Sequence, residues 1–172
     1  MRRHYKTRFP AANIDRWNEE VATDTFFSDV PAMDDGIPGH GGCTMAQLYT
    51  GLTSHFTKVY PMYSESQIPQ TLQDLLRDRG APNHIRSDCA KATQGKAFQD
   101  ILRHYGIGQS FSEPMQQNQN PAERRIQDIK NGVNRIMDAT GTPPHFWLLC
   151  TLYFVYLFNL LSVDALSGLT PT

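Results

Sequence analysis

The most informative segment of this chain reads Asn118-Gln119-Asn120-Pro121-Ala122-Glu123-Arg124-Arg125. Asn120 suits a helix N-cap and Pro121 suits the first helical position, so we expect a helix to begin here. Glu123 then stands in the first turn, where a carboxylate can bond back to the cap and favours the helix dipole. This capping role alone would explain Glu123 without any function.

A second carboxylate, Asp88, lies one helix-sized spacer earlier, in Ser87-Asp88-Cys89-Ala90-Lys91. A short strand is predicted to end just before it, which is also a common place for an Asp in a turn. The fold can bring a carboxylate at the end of a strand close to a carboxylate at the start of a helix. Such a pair can hold a divalent metal for phosphoryl transfer.

Asp24 is a third candidate, because it interrupts the predicted strand Val21 to Phe27. An Asp in the middle of a strand is unfavourable and is costly to bury unpaired. Metal ligation would explain it, and so would a salt bridge. Asp29 competes with Asp24, but it faces the other way along a regular strand and lies beside Pro31. We therefore favour Asp24.

The order of predicted elements indicates an α/β fold. The strands are predicted at Val21 to Phe27, Cys43 to Tyr49, His55 to Tyr60, His84 to Ser87 and Ile107 to Phe111. A loop at 31–42 separates the first two, and the first three form an antiparallel meander. Helices are predicted at 69–79, at 94–105 with Ala97, Ile101 and Leu102 inward, at 121–139 and at 144–161. This order predicts one mixed five-stranded sheet with helices on both faces.

The predicted helix at 121–139 has two stripes. The apolar stripe consists of Ile126, Ile129, Val133, Ile136 and Met137, and the polar stripe of Glu123, Gln127, Lys130 and Asn134. Glu123 and Lys130 project within about 20° of each other on an ideal helix. A carboxylate with a lysine two turns on suits a metal and phosphate site, although it also suits an ordinary boundary face.

Length, charge and cysteine content narrow the possible classes of protein. A chain of 172 residues supports one domain, and its net charge of −1 does not by itself indicate a nucleic-acid binder. The basic start at 1–8 can contact DNA or remain a solvated tail. Three cysteines without paired spacing argue against a disulfide framework or a zinc site. No secretory signal is visible, and we interpret the apolar stretch at 146–161 as a core helix, not a membrane span.

Four blocks together resemble the integrase catalytic core of copia-type LTR retrotransposons, in particular the copia-like elements of diatoms. The blocks lie at 21–29, at 87–91, at 119–125 with Lys130, and at 147–150 leading to Asn159. This resemblance implies an RNase H-like fold with a D-D-E triad formed by Asp24, Asp88 and Glu123. These residues would bind Mg²⁺ or Mn²⁺ and catalyse DNA 3′-end processing and strand transfer. The residues expected to contact DNA are Lys91, Gln119, Asn120, Arg124 and Lys130.

The resemblance also implies an organisation and partners. Residues 1–19 are expected to be an irregular basic lead-in, 20–164 the catalytic core, and 165–172 the start of a C-terminal linker. Cys89 and the long Gly-rich connection at 36–42 depart from the family pattern. The expected partners are element ends, target DNA and further copies of the chain, without a membrane. The expected site of action is the nucleus, after a cytoplasmic particle stage.

Two other functions remain open from the sequence. One is a catalytically inactive retroelement remnant that retains the fold and DNA binding. The other is an RNase H-like nuclease that cleaves RNA–DNA hybrids.

Overall fold

The computed structural model describes residues 16–88, 91–111 and 121–161, apart from the side chains of Asn18, Lys91 and Ala92. Within these residues the strands are β1 (Arg16–Phe27), β2 (Met45–Gly51), β3 (Thr57–Met62), β4 (Ala81–Ser87) and β5 (Gly108–Phe111). They form one sheet in the order β3-β2-β1-β4-β5. The pairs β1–β2 and β2–β3 are antiparallel, whereas β1–β4 and β4–β5 are parallel. The predicted mixed five-stranded sheet is confirmed.

Helices cover both faces of this sheet. They are α1 (Ile68–Arg79), the short α2 (Lys91–Gln94), α3 (Lys96–Tyr105), α4 (Pro121–Thr140) and α5 (Trp147–Asn159), with 3-10 turns at Glu65–Gln67 and Pro144–Phe146. Gly106 ends α3 in the left-handed conformation, at φ 62°, which a residue without a Cβ adopts at little cost. None of the described helices is long and apolar enough to cross a membrane.

The sheet separates two hydrophobic cores. Alternate residues of a strand point to opposite faces, so β1, β2 and β3 each contribute to both cores. One core joins the sheet to α4 and α5, and includes Ala22, Phe26, Leu48, Ala122, Ile126, Ile129, Val133, Trp147 and Leu148. The other joins it to α1 and α3, and includes Val21, Tyr49, Leu72, Leu75, Ile85, Phe98 and Leu102.

Strand β1 begins at Arg16, inside the segment predicted to be an irregular lead-in. This segment has no apolar periodicity, and it is held in the sheet by specific contacts instead. Trp17 contacts the ring of Phe56 edge-on, and the guanidinium of Arg79 lies 3.8 Å from the centre of the Phe56 ring. Such pairs stabilise a strand that hydrophobic periodicity alone would not reveal.

The buried Glu19 carboxylate fixes the turn between β2 and β3. Its Oε1 accepts hydrogen bonds from the backbone N–H groups of Thr53 and Ser54, both at 2.5 Å, and its Oε2 accepts one from Ser54 Oγ at 2.8 Å. A Cβ at Gly51 would lie 2.5 Å from Glu19 Oε2, so this approach requires glycine. Residues 16 to 19 are therefore an integral part of the folded sheet.

Two other predictions differ from the structure in their details. Helix α3 starts only after Gly95, and its phase buries Phe98 completely and leaves Ala97 exposed, so the prediction that Ala97 points inward was wrong. Strands β2 and β3 each begin two residues later than predicted. The last helix is shorter than predicted, because its first residues form the 3-10 turn and it ends at Asn159.

Replacing Glu19 by Ala should lower the free energy of unfolding by about 3 kcal/mol, because three hydrogen bonds to a charged acceptor are lost and the backbone donors of Thr53 and Ser54 lose their acceptor. Chemical denaturation measures this change. Glu20→Ala is the matched control: its ion pair with Arg86, at 2.9 Å, is partly exposed and should contribute no more than about 1 kcal/mol. Equal effects in the two variants would refute this role of Glu19.

Candidate active site

Asp24 lies in the central strand and faces the α4 side of the sheet. Its neighbours two residues away on either side, Ala22 and Phe26, both belong to the core beneath α4 and α5. The Asp24 side chain is partly buried, and its Oδ1 accepts a hydrogen bond from the backbone N–H of Thr25 at 2.8 Å. The carboxylate therefore lies where the sheet meets the helices, partly removed from water.

The sheet register brings Asp88 towards Asp24. The parallel pairing of β1 with β4 matches Ala22 with Arg86. Asp24 lies two residues beyond Ala22 in β1, and Asp88 lies two residues beyond Arg86, just past the end of β4, so the two acids lie towards the same end of these neighbouring strands. Asp88 follows the last residue of β4 and its side chain is exposed.

A hydrogen-bond network holds the segment that carries Asp88. Gln109 Nε2 donates to Ser87 Oγ and to the Thr93 carbonyl, both at 3.3 Å. Gln99 Nε2 donates to Gln109 Oε1 at 2.5 Å and to the same Thr93 carbonyl at 3.0 Å. Thr93 Oγ1 donates to the Asp88 carbonyl at 3.2 Å. Side chains of β5 and α3 thus contact Ser87 and Thr93, which precede and follow Asp88 in the sequence.

Glu123 is positioned by the first turn of α4. Ala122 beside it is fully buried against the sheet, which fixes the rotation of the helix. Glu123 is then partly buried, and Lys130, two turns on, is exposed. We call Asp24, Asp88 and Glu123 the acidic cluster.

Electrostatics connect the acidic cluster. Burial is the largest cause of the raised pKa of Asp24, which moves from 3.8 to about 6, and the charges of Asp88 and Glu123 contribute to the same rise. The Thr25 hydrogen bond and the charge of Lys130 act in the opposite direction. Asp88, Glu123 and Lys130 therefore each lie within electrostatic reach of Asp24, while the catalytic roles of these residues stay predictions.

The acidic cluster suits a divalent cation by its chemistry. Carboxylate oxygens are the ligands that Mg²⁺ and Mn²⁺ prefer, and a cation would offset the repulsion that disfavours ionised Asp24. Among the described residues, however, no three His, Cys, Asp or Glu side chains are close enough to share one metal ion. Binding would require these carboxylates to approach one another more closely.

The other predicted site residues have different outcomes. Asp29 is exposed beyond the end of β1, and the preference for Asp24 over Asp29 stays a prediction. Arg124 is exposed on α4. Lys91 lies in α2, but its side chain is outside the described part of the chain, as are Gln119 and Asn120.

Sequence reasoning missed Gln99 and Gln109. Each occupies a half-buried position, which is unusual enough for an amide side chain to indicate a specific partner. Their partnership depends on the packing of α3 against β5, which local sequence pattern does not reveal.

Solved structures resemble this chain over most of its length. The HTLV-2 integrase catalytic core domain in complex with magnesium matches in its trimeric form with a TM-score of 0.63 and 20% identity, covering 90% of this chain and 93% of that one. Its dimeric form matches with a TM-score of 0.62 and 18% identity, covering 90% and 92%. The chain has the fold of a retroviral integrase catalytic core.

A larger assembly shares this integrase-core fold. The simian T-cell lymphotropic virus intasome in complex with the PP2A regulatory subunit B56 gamma matches with a TM-score of 0.69 and 15% identity, covering 92% of this chain and 55% of that one. No protein-family model and no curated protein matches the sequence. The structural similarity establishes the RNase H-like fold. At identities this low the activity has to be argued from the site.

Asp24→Asn should stabilise the metal-free protein at pH 7.5, by on the order of 1 kcal/mol after allowing for partial solvent exposure. The folded-state pKa of Asp24 is raised, so ionisation favours the unfolded chain as pH rises from about 4 to 6. Denaturation at several pH values should therefore show a difference above pH 6 that vanishes below pH 4. Asp29→Asn, at an exposed position, is the control. A difference independent of pH would contradict this assignment.

Proposed function

We propose that this chain is the catalytic core of an integrase from a copia-type LTR retrotransposon related to the copia-like elements of diatoms. It would catalyse metal-dependent DNA 3′-end processing and strand transfer. The observation that carries the proposal is the raised pKa of Asp24, to which Asp88 and Glu123 contribute, within an integrase-core fold. The proposed site draws on three acids that are remote from one another in sequence.

Asp24, Asp88 and Glu123 are the residues that would hold Mg²⁺ or Mn²⁺, and the related HTLV-2 core was solved in complex with magnesium. When bound, these ions supply Lewis-acid activation of the attacking oxygen and stabilisation of the leaving oxygen. The protein supplies the negative charge that retains the ions. It also supplies the partly desolvated setting, which strengthens their interaction with the carboxylates.

Lys130 is suited to orient the DNA backbone. Its ammonium group is exposed on the same helix as Glu123 and acts electrostatically on Asp24. A phosphate held by Lys130 would therefore lie next to the acidic cluster. We propose additional DNA contacts from Lys91, Gln119, Asn120 and Arg124, and action in the nucleus after a cytoplasmic particle stage.

A second candidate is a non-catalytic protein that retains the fold and DNA binding. The separation of the carboxylates favours it, because no described group of three is close enough to hold a metal. Calorimetric titration with Mg²⁺ distinguishes the two. A catalytic core should bind Mg²⁺ with a stoichiometry that Glu123→Gln reduces, whereas a non-catalytic protein should show no heat that depends on Glu123.

The integrase proposal is tested with Asp88→Asn and Glu123→Gln. Each should lower Mg²⁺-dependent strand transfer or disintegration by at least about a hundredfold, since each removes a charged ligand of a metal ion that stabilises the transition state. Fluorescently labelled DNA substrates report the products. Asp128→Asn, an exposed acid on the same helix as Glu123, is the control and should retain full activity. Wild-type activity in both site variants would refute the proposal.

We also propose that the chain self-associates through an exposed apolar face of α5. Tyr153, Tyr156 and Leu157 recur at helical spacing on α5, Leu160 and Leu161 follow directly after its end, and all five are more than one third exposed. A contiguous apolar face of this kind is typical of an interface. The HTLV-2 core occurs in dimeric and trimeric forms, which supports a second copy as the partner.

Tyr156→Lys should weaken self-association at least about tenfold, because it places a charge at the centre of this face. Sedimentation equilibrium gives the dissociation constant. Tyr63→Lys alters a similarly exposed tyrosine far along the chain from α5 and is the control. A wild-type chain that stays monomeric at all concentrations would contradict the proposed interface.

A further inference from the structure

A groove of about 340 Å³ lies between the end of β1, helix α4 and the start of α5. Its walls are formed by Phe26 at the end of β1, Ile129 and Val133 on α4, and Trp147 at the start of α5. Lys130 also lines it, and the same lysine acts electrostatically on Asp24. The groove therefore borders the lysine at which a DNA phosphate is proposed to bind, and its volume lies at the lower end for a ligand site.

The groove combines apolar walls with hydrogen-bonding groups. Phe26, Ile129, Val133 and Trp147 are all less than 9% exposed. The indole Nε1 of Trp147 is buried and has no acceptor among the described residues. A buried donor without an acceptor is rare and indicates a missing partner.

The rim of the groove is polar and mixed in charge. Asp29 and Asn134 line it and are exposed, together with Lys130. Asp29 only accepts hydrogen bonds, whereas the amide of Asn134 both donates and accepts. Asp29 would repel a phosphate inside the groove, so an anion is better placed at Lys130, outside it.

We propose that this groove binds one unstacked nucleobase of the DNA strand whose phosphate lies at Lys130. A nucleobase has two apolar faces, which suit the walls, and a polar edge with both donors and acceptors, which suits the rim. The Trp147 N–H gains an acceptor on the base, and Asp29 can accept from an exocyclic amine. This inference rests on the proposed function, because it takes DNA as the substrate.

The test is a double-mutant cycle between protein and DNA. Fluorescence anisotropy in metal-free buffer measures binding of duplex ends that carry an abasic residue at each position in turn. One abasic position should weaken binding about tenfold, as expected for one stacked base. Asn134→Ala should weaken binding of intact DNA severalfold and have no further effect on that abasic DNA. Asn131→Ala, an exposed asparagine on the same helix outside the groove, should change neither affinity.

Additive effects in this cycle would overturn the proposal, and so would equal losses for Asn134→Ala and Asn131→Ala. A spectroscopic measurement avoids dependence on the variants. In a Trp17→Phe background the emission reports Trp147, and intact DNA should quench it whereas the critical abasic DNA should not. Trp147 emission that changes with protein concentration but not with added DNA would overturn the proposal and assign the groove to a second copy of the chain.

The outcomes separate this inference from the proposed catalysis. Coupling in the binding cycle without strand transfer would support the groove and refute the catalytic role. Strand transfer together with additive binding effects would refute nucleobase binding in the groove and leave the catalytic role standing. A chain that binds no DNA would refute both.

Discussion

The partly buried carboxylate of Asp24 is the constraint on which this site depends. A strand that packs against helices tolerates an acid at this position only with specific partners, because desolvation disfavours its ionised form. Two further acids lie within electrostatic reach of it and raise its pKa, while a lysine and a backbone N–H lower it. Like charges around a partly buried acid do not favour stability, and the proposed function gives these charges a cationic ligand.

Two features of the fold bring the acids of the cluster, which are distant in sequence, towards one another. The parallel pairing of β1 with β4 puts Asp24 and Asp88 towards the same end of neighbouring strands, and the buried Ala122 fixes the rotation of α4 that presents Glu123. Hydrogen bonds from Gln99 and Gln109 then hold the backbone around Asp88. Each feature acts on backbone position, so the side chains themselves retain freedom to adjust to a ligand.

Sequence reasoning predicted the sheet, the helices and the acidic cluster because each leaves a local signal. Apolar periodicity marks α4, and an acid inside an apolar strand marks Asp24 as exceptional. The start of β1 was missed because Glu19 is satisfied by a turn more than thirty residues away. The groove was missed for a similar reason: Asn134 belonged to a visible polar stripe, but its neighbours Phe26 and Trp147 reach it only through tertiary packing.

The separation of the carboxylates agrees with the raised pKa of Asp24. Acids held at contact distance without a cation would repel strongly, and one of them would remain protonated at neutral pH. Burial is the largest cause of the raised pKa of Asp24, and with a pKa of about 6 this carboxylate is mostly ionised at pH 7. A divalent cation would gain attraction from it, and from the other two acids, by drawing the three together. The loose arrangement of the acids is thus compatible with metal binding, because it limits the electrostatic cost of the metal-free state.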